Sequence, residues 1–535
     1  MKRNFTQLML SLLLVFGAIL SVQAQGQKTI DFSGDDYCNH VVQIGNAYYI
    51  VGSTSAAGGG SYDAYIAKLD SLGNPVWQKQ YGGSGVEFGT YLTATSDNNL
   101  LMVGRSNSYG TNYDMFVVKT DLSGNVLWSK TIGTDTTDYG MRVAEGPTGY
   151  LIVGQTLGVP TSINGKTDIL VALVDASGNL KWSKNIGVPY ANETPYETLS
   201  LGSDGFIIAG STGVNLIGLG EALFFAIDTT GQIQGAFITG GEGEDDFRSI
   251  IGAGDGLYVV GNTNTVTGGG NANFLVARFN FVNQMPVLQW IKNYGGPQQE
   301  SMNSAQMLPD GRIIMFGLTS SFGANGDGIA IVVDSNGVAQ MAKHYGGSAD
   351  DYISSAAFGN NGALFVGNSG SFGASAENVY LVMPDQTGSS GCNDDTAAIV
   401  TTVMADTAIG PVIPDFVSDS IHVNAVTRTP AAGSNVGTVA NLCPTGITPV
   451  TAQLEFTMFP NPTAGNTELV FYTDKSSATV VSICNALGQT ISQFNRDSFT
   501  GRNSVTLNTA GYSPGIYFVK VKTNDAQGVM PLCVR

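Results

Sequence analysis

Charge is scarce in this chain of 535 residues: Asp, Glu, Lys and Arg make up 12% of it, and acids outnumber bases 42 to 24. A surface so poor in cations does not track a phosphate backbone, nor does it seek an anionic membrane. Nucleic acid is thereby excluded as a partner. Only three His are present, His40, His344 and His422, scattered without metal-ligand spacing. His344 stands at a variable position of a repeated strand, which reads as surface. HExxH, CxxC, GxSxG and phosphate-cradling glycine patterns are all missing. No apolar run reaches the roughly 18 residues of a membrane-spanning helix, and no stretch keeps a helical period. Disorder is excluded as well, since apolar residues still make up 43%.

What the chain does have is glycine, 70 residues of it, nearly twice the usual share of about 7%. It also has an export signature. Lys2 and Arg3 precede the apolar run Leu8 to Leu20, and Val22 and Ala24 supply small residues at the −3 and −1 positions. This predicts a signal peptide over 1–24, cut after Ala24.

The glycines mark a repeat. Gly52, Gly104, Gly154, Gly210, Gly261, Gly317 and Gly367 each close an apolar segment such as YYIVG, LMVG or LIVG, at intervals of 50 to 56 residues. A second segment follows in each unit, opened by an acid or Asn and ended by a tight turn: DSLGN, DLSGN, DASGN, DTTGQ. Asp bonds its own downstream backbone there, and Gly takes positive φ without steric cost. A third segment carries all four Trp: Trp77, Trp128, Trp182 and Trp290. A fourth begins with an acid. Four short strands per unit and seven units predict a seven-bladed β-propeller over residues 25–391. The seventh unit lacks its last strand, and residues 28–34 (KTIDFSG) match the missing piece. They are expected to complete that blade as its outer strand. The Trp rings are expected to pack between blades.

Over roughly residues 28 to 385 these repeats resemble the seven-bladed propeller repeats of many secreted bacterial surface proteins. The resemblance implies a rigid scaffold displayed outside the cell.

The acids that open each fourth segment are the most informative set: Asp36, Glu87, Asp138, Glu193, Asp246 beside Asp245, Glu300, and Asp351 beside Asp350. Sevenfold repetition places them in a ring at the mouth of the channel. Three readings stay open. Each acid fixes its own turn; the ring holds a cation, for which Ca²⁺ is the natural choice with oxygen ligands; or it meets another ligand. Longer loops on the same face, STSAAGGGSYD, QTLGVPTSINGKTD and NTNTVTGGGNAN, are rich in Gly, Ser, Thr and Asn. They suit hydrogen bonding to carbohydrate or to a protein surface.

Residues 392–453, rich in Thr, Val and Pro, carry no copy of the repeat and read as a linker with some strands of its own. Cys392 and Cys443 bracket it and could pair in an exported chain, a loop whose closure is worth about 4 kcal/mol in the entropy model. Over 454–535 strands alternate with Pro, Gly and Asn turns, as in a small immunoglobulin-like β-sandwich. FPNPT, NALGQ and LNTAGYSPGIYFVKV resemble the type A sorting domain of the type IX secretion system of Bacteroidetes. The resemblance implies delivery by that machinery, removal of the domain by its surface peptidase, and a product released or held at the outer surface. Cys484 and Cys533 either bridge or serve as small buried apolar residues.

The chain thus reads as an exported propeller acting as a binding or adhesion module. The rival is a secreted glycan hydrolase or lyase working through paired carboxylates. Every candidate acid, however, is a repeated position, and none stands out as catalytic or as a firm metal ligand.

Overall fold

The computed structural model describes residues 25–535 apart from 56–61, 158–165, 215–219, 241–242, 255, 265–270, 283–284, 324, 360–361, 374–376, 404–416, 421–423, 428–430, 436, 444–451, 455, 474, 486–489 and 524–525. The expected signal peptide lies outside the described residues, as do most of the three long loops.

Two compact units divide at Cys443 and Pro444. The first is a seven-bladed β-propeller. Strands such as Asp168–Val174 are buried along their whole length. A strand apolar on both faces needs a sheet on each side, and packing blades face to face around an axis supplies both. Seven buried clusters form, one per junction between neighbouring blades, and the cluster that joins Ile30 and Tyr65 to Leu364 and Leu381 unites the last blade with the first.

Blade 1 is typical: Asp36–Ile44, Ala47–Thr54, Asp63–Leu69 and Pro75–Gly82, all antiparallel in that order. Each innermost strand skips one residue in its pairing, as at Cys38/His40 in blade 1 and Gly89/Tyr91 in blade 2, and the same bulge recurs in all seven. It explains the repeated glycine. At Gly104 a Cβ would overlap the carbonyl oxygen of Phe88, and at Gly52 that of Tyr37. Only a residue without a side chain lets the bulged strand come so close.

Gly26–Asp31 completes blade 7, pairing antiparallel with Asn378–Met383 (Gln27 opposite Val382, Thr29 opposite Tyr380). It is the fourth strand but not the outer one. Thr438–Asn441 pairs along its far edge. The stretch read as a linker has a more specific role. Running backwards around the ring, Asp394–Thr396 adds to blade 6, Val400–Val403 to blade 5, Val417–Ser420 to blade 3, Asn424–Thr427 to blade 2, and Ala431–Asn435 to blade 1, before Thr438–Asn441 reaches blade 7. The free edge of a fourth strand is an unpaired ladder, and these short strands cover it in six blades; the sheet of blade 4 ends, among the described residues, at Ile233–Thr239. Cys392 and Cys443, at the two ends of the belt, are joined by a disulfide.

The second unit is a sandwich. One sheet orders Ala452–Gln453, Ala526–Val534, Gly515–Lys522, Ser477–Cys484 and Thr490–Ser498; the other orders Phe456–Phe459, Asn466–Thr473 and Gly501–Asn508. Leu469, Val481, Val519 and Leu532 are fully buried between them. Cys484 and Cys533 are both free. They stand on strands separated by Gly515–Lys522, where Cys484 faces Phe518 and Cys533 faces Ile516. Of the two readings left open for this pair, the bridge is not formed, because a whole strand lies between the two thiols, and both are only half-buried.

Candidate functional site

The seven innermost strands open with Asp36, Glu87, Asp138, Glu193, Asp245, Glu300 and Asp351, none more than 4% exposed. In blade 5 the repeated position is therefore Asp245, paired across to Thr263. Asp246 is one residue on and faces the other way. Nor do these acids ring an open mouth. Each is sealed at a blade junction, where its own N–H donates to a carbonyl of the preceding blade at 2.7–3.1 Å. Most carboxylates also reach back to the amide four residues earlier: Phe32 to Asp36 at 2.6 Å, Gly83 to Glu87 at 2.9 Å, Gly347 to Asp351 at 2.7 Å. These hydrogen bonds fit the turn-fixing reading. The acids are spread one per junction, and among the described residues no three acids, His or Cys are grouped to hold a metal ion.

A second acid opens the third strand of the preceding blade and faces the first. Burial lifts Asp63 to about 6, helped by Glu87 beside it. Burial lifts Glu193 to about 8, with Asp168 adding to the effect, and Asp36 to about 6. Two carboxyls placed this close favour sharing a proton as the pH falls. In blades 5 and 7 the third-strand position is Asn273 or Asn378. His344 belongs to this layer, not to the surface. Its Nδ1 lies 2.8 Å from Asp327 Oδ2, in the place where Asn185 donates to Asp168 at 2.9 Å.

The Trp residues tie neighbouring blades. Trp77, Trp128, Trp182 and Trp290 lie against Gly124, Gly178, Gly231 and Gly337, the positive-φ turn glycines of the next blade. Trp128 and Trp182 also donate their indole N–H to Ala176 and Thr229 carbonyls at 3.0 Å.

Symmetry breaks one residue beyond the leading acids. In blades 1 to 3 that column reads Tyr37, Phe88, Tyr139, and the column before the third strand reads Tyr62, Tyr113 and, in blade 3, Thr167. These rings fill the leading face by stacking on one another. Tyr62 stacks on Phe88 at 5.6 Å, and the Arg105 guanidinium sits 4.5 Å from Phe88 and 4.7 Å from Tyr139. In blades 4 to 6 the same columns read Thr194, Asp246, Ser301 and Gly220, Ala272. With the rings gone, a cavity of about 390 Å³ opens there.

Its walls carry hydroxyls, amides and carboxyls, among them Asn192, Tyr196, Ser211, Glu244 and Asn264. Asp246 is already engaged: it takes Arg248 Nε at 3.1 Å and Asn262 Nδ2 at 3.0 Å. Arg248 in turn covers the Tyr196 ring at 4.7 Å. A neutralised guanidinium laid on an aromatic ring, with hydroxyls and amides around it, suits a hydroxyl-rich neutral ligand. This cleft was legible only by stacking the repeats and asking which blades lack the rings.

Deeper along the innermost strands a second asymmetric column runs His40, Tyr91, Arg142, Glu197, then Ser249, Ser304, Ser355. His40 packs on Tyr91 at 4.2 Å, Arg142 covers Tyr91 at 5.0 Å, and Arg142 Nε stands 3.6 Å from Glu197. Burial holds His40 down to about 3, so it is neutral, and pushes Glu197 up against the opposing pull of Arg142. His40 Nδ1, Arg142 Nε and Ser355 Oγ are buried without a hydrogen-bond partner among the described residues.

Residues 457–535 match the family described as secretion system C-terminal sorting domain. No curated protein matches the chain. Among solved structures it is similar to an acylaminoacyl peptidase of Pyrococcus horikoshii, at 9% identity and a TM-score of 0.38, covering 83% of this chain and 59% of that one. The chain thus spans about three-fifths of that peptidase. It is also similar to the β-propeller domain of the Trilobed protease of Pyrococcus furiosus, at 9% identity and a TM-score of 0.39 over 66% of this chain and 94% of that one. These likenesses are too weak to carry function, and the propeller rests on its own strand pairing. The sorting domain marks the chain for type IX secretion to the cell surface or the medium. No helix of the described residues is long and apolar enough to cross a membrane.

Proposed function

We propose that the exported propeller is a binding module that takes a neutral carbohydrate in the cleft of blades 4 to 6. One observation carries this reading. The position filled by stacked rings in blades 1 to 3 is emptied by Thr194, Gly220, Ala272 and Ser301, and the space left is lined by hydrogen-bonding groups. Ligand sites break the symmetry of a repeat scaffold, and this is where the symmetry breaks. The sorting domain supplies delivery, and a binding module displayed outside the cell has a use for it.

The test refills the cleft. At Gly220 a Cβ would find no atom nearer than 3.7 Å, so Gly220→Tyr restores the residue found at Tyr62 and Tyr113 without straining the fold. The exported protein should bind neutral glycans on an array. Gly220→Tyr should abolish that binding with its melting temperature unchanged, and Asn264→Ala should weaken it by about 1–2 kcal/mol, the range for a lost hydrogen bond. Binding that survives both substitutions places the ligand elsewhere, and turnover of a bound polysaccharide would favour the enzyme reading instead.

A further inference from the structure

Independently of any ligand, we infer that the described strands between Cys392 and Cys443 form a disulfide-clasped belt that locks blade 7, so that final closure of the ring waits for oxidation of Cys392 and Cys443. A propeller completed by its N-terminal strand is weakest at that strand, which reaches its blade through one ladder only. Here Gly26–Asp31 is held on both sides, by Asn378–Met383 within the blade and by Thr438–Asn441 at the end of the belt.

The two ends of the belt meet at one residue of that strand. Gln27 is 1% exposed. Its Nε2 donates to Ser390 Oγ and to the Cys392 carbonyl, both at 2.8 Å, and its Oε1 accepts from Tyr380 at 2.7 Å. Its backbone carbonyl accepts from Leu442 N–H at 2.9 Å. The start of the belt is fixed just beyond. Asp394 takes the Ser390 N–H at 2.7 Å and Lys343 at 3.1 Å. The Cys392–Cys443 bond, with 5.3 Å between the Cα atoms, closes the belt over this junction. Six described belt strands cling to six different blades. Once the bond has formed, Thr438–Asn441 cannot leave blade 7 without drawing on a chain pinned elsewhere. As thiols, the same four residues are an end that frays.

Closing the bond removes two electrons and two protons from the two thiols. Thiol–disulfide exchange passes the electrons to an oxidised dithiol carrier, which leaves reduced. Such exchange proceeds outside the cytosol, so the lock engages after export.

Hydrogen exchange read by mass spectrometry on the whole exported protein tests this. After reduction with a phosphine, amides of 26–31 and 438–441 should exchange at least roughly tenfold faster, while those of 168–174 in blade 3 keep their rate, as expected of a local opening. Reoxidation should restore the protection. Gln27→Ala should loosen the same two segments with the disulfide intact. Should the folded bond resist the phosphine, the Cys392→Ser, Cys443→Ser protein gives the same reading. The proposal is overturned if 26–31 exchanges alike with and without the bond. It is equally overturned if blade 3 loosens in step, in the reduced protein or in a serine variant that exchanges throughout, because the bond then supports the whole ring and not its seam.

Discussion

Blades bury charge at every junction, whereas the sandwich buries none among its described residues. Asp36, Glu87, Asp138, Glu193, Glu300 and Asp351 are sealed in the propeller, along with Lys119 and Lys184; the buried polar residues of the sandwich are hydroxyls such as Thr467, Thr479 and Ser498. The difference follows from how each closes. Two facing sheets satisfy their backbone within each sheet and turn in water. Seven blades around an axis must be joined by chain that crosses a buried junction, and the amides there need acceptors. A carboxylate supplies two, so the junction acids are the cost of ring geometry and not a sign of chemistry.

The largest effect expected from this contrast separates the units altogether. Removing residues 454–535 should leave the tryptophan fluorescence melt of the propeller intact, since all four Trp lie in it, yet stop delivery to the medium or the outer surface. Normal delivery of the truncated chain would break the division of labour between scaffold and tail.

Next come the glycines. Gly104→Ala sets a Cβ on the Phe88 carbonyl and should cost about 3 kcal/mol or more in urea unfolding. Gly465→Ala in the sandwich meets nothing within 4 Å and should stay within about 0.5 kcal/mol. Equal losses would mean that the bulge does not set the glycine requirement.

The junction acids give a smaller, pH-dependent effect. Glu193 has its folded pKa raised from 4.5 to about 8, by burial first. A raised carboxyl holds its proton in the folded state, so its contribution is full below pH 4.5 and is lost as the pH climbs through about 8. Asp63 and Asp36, lifted to about 6, act likewise over a lower range. The propeller melt should therefore fall between pH 5 and 9, and Glu193→Gln, neutral throughout, should flatten part of that slope. The sandwich should show no matching slope. Asp138→Asn should cost about 1 kcal/mol, the worth of one cap, and neither Ca²⁺ nor EDTA should alter the loss. A calcium-dependent shift would restore the cation reading.

The repeat made the blades legible. An error in one unit is caught by six others, and seven glycines at one spacing leave little freedom. What stayed hidden has particular causes. Asp245 and Asp246 stand side by side, and only cross-strand register tells which one faces Thr263. The belt strands are mostly four residues long without apolar alternation, and they pair with edges 49 to 413 positions away in the chain, so no local pattern announces them. The cleft is made of missing side chains, and small residues carry no motif. His344 looked variable because the column it shares with Asn185 also holds Thr131 and Ile238, so no one residue type marks the position.

The smallest expected effect concerns the cysteines, and it separates the two units by chemistry alone. Cys38 is fully buried in the propeller, with its thiol pushed up to about 12 by burial, and Cys392 and Cys443 are bonded. Cys484 and Cys533 are free and half-buried on the sandwich. Reactivity follows thiolate content and access. An alkylating reagent at neutral pH should therefore add two adducts to the folded protein, both in the sandwich, and a third in denaturant. Reduction should bring the total to all five cysteines. Replacing Cys484 and Cys533 by Ser should shift stability by no more than about 0.5 kcal/mol, as for exposed positions generally. A folded protein that takes up no reagent, and whose mass is two hydrogens lower still, would put a bridge between Cys484 and Cys533. The strand that separates them would then have to be displaced, and the sandwich, like the ring, would owe its closure to oxidation.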